Sequence, residues 1–169
     1  MNIINELKSL LINLKNQFND ETPSIYEEKI ISNKKEFVLD TDIYSQNRLI
    51  DIASRHHPDA KVISEELNNY HDLVNETENM VIMDPLDGTH NFLYGLPMWG
   101  FSYTLFKESR LAAESYIGLP MLDTLLSFEN NKVLLHNIDP NVEAKHINLS
   151  PTNRPLSEMM ISFDNQFNK

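Results

Sequence analysis

Cysteine is absent from the 169-residue chain, so disulfides and thiolate metal ligands are excluded together. Long apolar runs are missing too. The opening MNIINELKSLLINLKNQF is broken by Glu6, Lys8, Asn13 and Lys15 and lacks the basic and apolar regions of a signal peptide. Nothing later approaches the ~18 apolar residues of a membrane span. A soluble, cytoplasmic protein is the expectation. Positive charge is scarce: 14 Lys and Arg stand against 25 Asp and Glu, for a net charge of −11, which disfavours binding to nucleic acid or an anionic membrane. No Lys or Arg occurs between Lys61 and Lys107, a window that holds Glu65, Glu66, Asp72, Glu76, Glu78, Asp84 and Asp87. Such a run is usually a solvated face. This one also contains NMVIMD and FLYGLPMWGFSYTLF, and carboxylates beside apolar segments without a local base are candidates for a cation site. Basic residues distant in sequence remain able to fold back onto them.

The composition, 41% hydrophobic and 9% aromatic, is that of a folded domain with a core. Ile3, Ile4, Leu7, Leu10, Leu11, Leu14 and Phe18 fall at helical spacing, which predicts an amphipathic first helix. EKIISNKKEFVL (28–39) reads as two strands joined by the polar turn at 32–35. A second helix is expected from about Asp42 to His56, with Ile43, Leu49, Ile50 and Ala53 on its apolar stripe. Strands are then expected at 60–64, 80–83, 99–106, 110–118, 123–129 and 132–136, with hairpin turns at 107–109 and 130–131. A further strand at 145–150, a short helix from about Pro155 and the apolar run MMISF close the chain. Two helices with a mostly antiparallel run of strands give an α+β fold. The expected organisation is an N-terminal α+β metal-binding domain over 1–155 and the start of a second domain over 156–169. Trp99, Phe101, Tyr103 and Phe106 read as sheet core.

The chemistry concentrates in MDPLDGTHNF (83–92). An apolar strand delivers Asp84 to its carboxyl end, Pro85 fixes the backbone, and Asp87 follows one turn later. Gly88 permits a close or left-handed approach. Thr89 opens a short helical segment whose N–H groups favour an anion such as phosphate. Two carboxylates for a hard cation beside an anion-binding helix start suit metal-dependent phosphoryl transfer. An ordinary Asx turn, with Asp84 capping and Asp87 exposed, is the simpler alternative. Glu65-Glu66 also follows a predicted strand, and Asp40-Thr41-Asp42 follows another and begins a helix, where an aspartate is an ordinary cap. Three separate element ends that present acids favour the site. His90 reads as a surface or helix-start residue, and Glu66 as either a supporting or a surface residue.

These residues resemble the inositol monophosphatase family. Asp84-Pro85-Leu86-Asp87-Gly88-Thr89-His90-Asn91-Phe92 meets that family's D-P-[IL]-D-G-T-x-N-F signature. Ser64-Glu65-Glu66 resembles its G-E-E motif with Ser for Gly, and Val38-Leu39-Asp40-Thr41-Asp42 keeps the Thr-Asp pair of its V-T-x-x-D element. The stretch 97–120 is similar to the strand pair after the signature. The resemblance implies the N-terminal half of a layered fold. It implies that Glu65, Asp84 and the Leu86 carbonyl hold a first Mg²⁺ and that Asp84 and Asp87 hold a second, with two or three ions in complete relatives and inhibition by Li⁺. It gives Thr89, bonded to Asp42, a part in activating the attacking water beside Glu65, and it gives Asp87 and the N–H groups of Gly88 and Thr89 to the substrate phosphate. A small phosphorylated substrate and a homodimer are implied as well.

The family's W-D-x-[AS]-[AG] motif has no counterpart, since Trp99 is followed by Gly100, and the glycine-rich turn after the later strands is replaced by ENNKVLLHN. The second α/β domain is accordingly expected to be missing. This leaves two readings: a phosphomonoesterase impaired by that loss, or a catalytically inactive, partner-binding half-domain. A haloacid-dehalogenase-type D-x-D-G-T site is excluded, because the two aspartates here are three residues apart with a proline between.

Overall fold

The computed structural model describes residues 2–20, 22–31, 34–67, 79–107 and 112–148. Helix α1 (Ile3–Asp20) is followed by strands β1 (Ile25–Ile31) and β2 (Lys34–Leu39), then by helix α2 (Asp40–His56) and strand β3 (Lys61–Ser64). Strand β4 (Met80–Asp87) leads into helix α3 (Thr89–Leu93). The chain continues with β5 (Gly100–Phe106), β6 (Ala112–Leu119), β7 (Thr124–Glu129), β8 (Lys132–Asn137) and β9 (Lys145–Ile147). The fold is α+β. β1 and β2 form an antiparallel hairpin, and β3 to β9 form a seven-stranded sheet in sequence order. Only the β3–β4 pair in that sheet is parallel.

The helical stripe of α1 is the one its spacing predicts: Leu7, Leu10, Leu11 and Leu14 are buried. Helix α2 begins at Asp40, two residues before the expected start, and its buried apolar residues are Leu49, Ile52 and Ala53. Ile50 is only half-buried there, because the stripe turns toward Ile52 where α2 packs on β4. Both helices lie on one face of the sheet, in a core completed by Val81, Met83, Tyr103, Leu105, Tyr116 and Leu125. Trp99 and Phe101 also belong to that core, as expected, whereas Phe106 is half-buried. Among the described residues no helix is long and apolar enough to cross a membrane.

Asn130 and Asn131 both adopt positive φ (51° and 58°), the requirement of a two-residue hairpin turn matched to strand twist. The turns expected at 32–35 and 107–109 lie partly outside the described residues, as does most of the polar stretch after Glu66. The helix from Pro155, MMISF and the boundary at 155/156 lie wholly outside them.

One sequence expectation changes form. The strand 80–83 was expected to run into a tight aspartate turn, but β4 continues to Asp87 through a bulge. Asp84 pairs with Ser102 and Asp87 with Gly100, so β4 uses three steps where β5 uses two. Pro85, which has no N–H to give to a ladder, sits in that extra step, where a strand tolerates it. The bulge sets Asp84 beside Glu65 at the end of β3, buries Leu86 in the core and leaves Asp87 exposed.

Candidate active site

Four chain segments meet at this edge: the end of β3 with the turn Glu65–Leu67, the β4 bulge, the start of α3, and the first turns of α2. Among the sequence-predicted residues, Glu65 and Asp84 come together from adjacent parallel strands. Their carboxyl groups are within hydrogen-bonding reach of each other. Burial first, then Glu65 and Asp87, pushes Asp84 up to about 7 from an ordinary 3.8. Glu65 is raised as well, by partial burial first and then by Glu66. Raised proton affinity at neighbouring acids is the mark of negative charge without enough positive charge to balance it. Asp87 points outward and is exposed.

Asp42 bonds both to the start of its own helix and to Thr89. Its Oδ2 accepts the Leu39 N–H at 2.7 Å, the reciprocal half of a helix-start cap. Its Oδ1 accepts the Thr89 hydroxyl at 3.2 Å. The same hydroxyl lies 3.0 Å from the Leu86 carbonyl, so its single proton is shared between two acceptors. Asp42 is only 2% exposed, and burial pushes it up to about 7, with Glu66 and Glu65 adding and the Leu39 and Thr89 bonds opposing.

Gly88 is required on two counts. Its φ is +87°, and a Cβ there would lie 2.9 Å from the Met98 carbonyl oxygen. This close packing of the 88–89 backbone on the 98–99 segment is held by an aromatic cluster. Phe92 of α3 meets Trp99 at 4.8 Å and Phe18 of α1 at 5.3 Å between ring centroids. His90 is exposed and its ring packs on Phe37 at 5.5 Å, which agrees with a surface role.

Sequence reasoning left the acidic window without a local base, and the fold supplies one from a distance. Lys29 of β1 reaches Glu66 at 2.8 Å, with both side chains largely buried. The hairpin β1–β2 is thereby tied to the turn that carries Glu65 and Glu66. Two further residues, Ser45 and Gln46, carry no motif of their own in the sequence. Ser45 donates to the Pro85 carbonyl at 2.7 Å, and Ser64 donates to Gln46 at 2.8 Å. Ser45 and Gln46 follow Asp42 by three and four residues, which places all three on one helical face. That spacing was the available signal.

The donor set is all oxygen: the Glu65, Asp84 and Asp87 carboxylates and the Leu86 carbonyl. It fits a hard divalent cation in kind. Among the described residues no three acidic or imidazole side chains are already gathered closely enough to enclose an ion. The fit is therefore one of donor chemistry and charge.

The profile of the inositol monophosphatase family matches residues 5–165. A fructose-1,6-bisphosphatase/inositol-1-monophosphatase of Aquifex aeolicus is 32% identical over 113 residues, covering 66% of this chain and 40% of that protein. Among solved structures, an IMPase of Thermotoga maritima superposes with a TM-score of 0.60 at 20% identity, over 80% of this chain and 51% of that one. An IMPase/NADP phosphatase complexed with Mg²⁺ and phosphate gives 0.59 at 18% identity, over 83% and 47%. At such identities the superpositions speak for the fold. The chain spans about half the length of the solved relatives.

Proposed function

The chain belongs to the inositol monophosphatase family, and from that premise we propose that it is a Mg²⁺-dependent phosphomonoesterase for inositol phosphates or related small phosphate monoesters. The observation that carries the reading is the meeting of Glu65 with Asp84 beside the Thr89–Asp42 bond. Two acids from different strand ends are pressed together, and a hydroxyl–carboxylate pair stands next to them. The Mg²⁺ and phosphate found with a solved relative support the choice of ion and ligand class.

Glu65, Asp84, Asp87 and the Leu86 carbonyl would hold the cation, which when bound supplies Lewis acidity and a more acidic water. The remaining work belongs to the protein. Thr89, while donating to Asp42, presents oxygen lone pairs that accept a proton from water. Asp42 is the base behind it, and a carboxylate raised to about 7 takes up that proton far better than an ordinary one near neutral pH. Gly88 and Thr89 open α3, whose first N–H groups have no acceptor within the helix and would receive phosphate oxygens.

Two results test this reading. Phosphate release from myo-inositol 1-phosphate should require Mg²⁺ and be suppressed by Li⁺; no release at saturating Mg²⁺ would sink the catalytic reading for this chain. The second reading, cation binding without turnover, draws on the exposed Asp87, which stands apart from Glu65 and Asp84, and predicts Mg²⁺ binding by calorimetry with no product. Cation binding also has a pH signature. Because Asp84 and Glu65 must lose their protons to bind an ion, the rise in melting temperature with saturating Mg²⁺ should be small near pH 5.5 and full by about pH 8. A rise independent of pH would place the ion elsewhere.

A further inference from the structure

The bulge that presents Asp84 is held from behind. Ser45, fully buried in α2, donates its hydroxyl to the Pro85 carbonyl at 2.7 Å. The peptide unit that follows is planar, so fixing that carbonyl fixes the direction of the Leu86 N–H. That N–H donates to Asp84 Oδ1 at 3.1 Å. We infer that Ser45 is a positioning residue for Asp84, acting through the 85–86 peptide to set the carboxylate toward the cation. The inference rests on the cation-dependent reading above and adds a residue that touches neither substrate nor ion.

The surroundings allow the relay no slack. Pro85 and Leu86 are buried, and Pro85 cannot offer an N–H for an alternative ladder bond. The Leu86 carbonyl is itself engaged by Thr89 at 3.0 Å. Gln46, the next residue of α2, accepts from Ser64 at 2.8 Å and so steadies the end of β3 immediately before Glu65. One helix face, at residues 42, 45 and 46, thus sets the hydroxyl of Thr89, the carboxylate of Asp84 and the backbone leading to Glu65. Residues that orient ligands in this way commonly carry 10–100-fold in metal affinity.

The test compares Ser45→Ala with Ile52→Val, a truncation in the core about two turns further along the same helix. In Ser45→Ala the Leu86 amide should exchange hydrogen about tenfold faster, and Mg²⁺ affinity by calorimetry should fall about tenfold. Ile52→Val should leave both within about twofold. Ser45→Cys, nearly the same size with a weaker donor, should fall between, and it serves if the alanine variant does not fold. Unchanged Leu86 exchange or unchanged Mg²⁺ affinity in Ser45→Ala overturns the inference, as does an equal change in Ile52→Val. A wild-type chain that binds no Mg²⁺ overturns the functional reading instead, while amide exchange still decides whether the relay exists.

Discussion

Asp84→Asn should lose at least ~100-fold in Mg²⁺ affinity, beyond what residues that merely orient ligands contribute, and phosphatase turnover should vanish with it. The same change should make the metal-free protein more stable at alkaline pH. In the folded chain Asp84 is raised to about 7 from an ordinary 3.8, so folding favours its protonated form. The stability contributed by that preference is fully present below about pH 4 and is lost as pH rises through about 7. At pH 8 the ionised carboxylate is therefore a burden beside Glu65 and Asp87. Asparagine cannot ionise, and it keeps an acceptor for the Leu86 N–H. Without Mg²⁺ at pH 8 the variant should melt ~3 °C or more above wild type, the shift that about 1 kcal/mol gives in a domain of this size. At pH 4 the two should nearly coincide. Loss of cation binding together with a fall in stability at pH 8 would mean that Asp84 is chiefly a structural residue.

Gly100→Ala is the second large effect. Gly100 opens β5 opposite Asp87, and a Cβ there would lie 2.3 Å from the Gly118 carbonyl oxygen of β6. That neighbour is backbone in a central sheet, with β6 locked against β7 on its other side, so it cannot swing aside as a side chain would. Relief requires β5 and β6 to separate, which should cost about 3 kcal/mol, the upper part of the range for overpacking. That is a large fraction of the 5–15 kcal/mol that holds a domain together. Because Asp87 pairs directly with Gly100, Mg²⁺ affinity should fall too. Gly95→Ala makes the contrast: its φ is +72° but nothing lies within 4 Å of the added carbon, so the cost should stay near the 1–2 kcal/mol of left-handed strain. Equal melting temperatures for the two variants, by thermal scan, would show that the β5–β6 contact is softer than argued.

The short stretch 83–92 illustrates how much of the site was legible. The residue types, their order and the need for Gly88 followed from sequence, because a proline between two acids and a glycine before a threonine leave few backbone solutions. The shape of that solution did not. A bulge within a paired strand and a free tight turn both place Pro85 where no N–H is needed. Only the pairing of Asp84 with Ser102 and Asp87 with Gly100 selects the bulge. Asp42 shows a different limit. Position alone gives its cap, and a carboxylate with two oxygens also reaches Thr89.

By itself the sequence determined the chemistry on offer and the local elements. Two amphipathic helices, the Asn130-Asn131 turn and an acid-rich strand end without cysteine are set by spacing and side-chain type over a few residues. The tertiary structure decided which groups meet. Lys29 crosses from β1 to neutralise Glu66, Ser45 reaches Pro85 across 40 residues, and Thr89 finds Asp42 across 47. Those partners are set by the parallel β3–β4 pairing and by the seat of α2 on β4. A contact of that range depends on the packing of whole elements, and no local pattern in the chain encodes it.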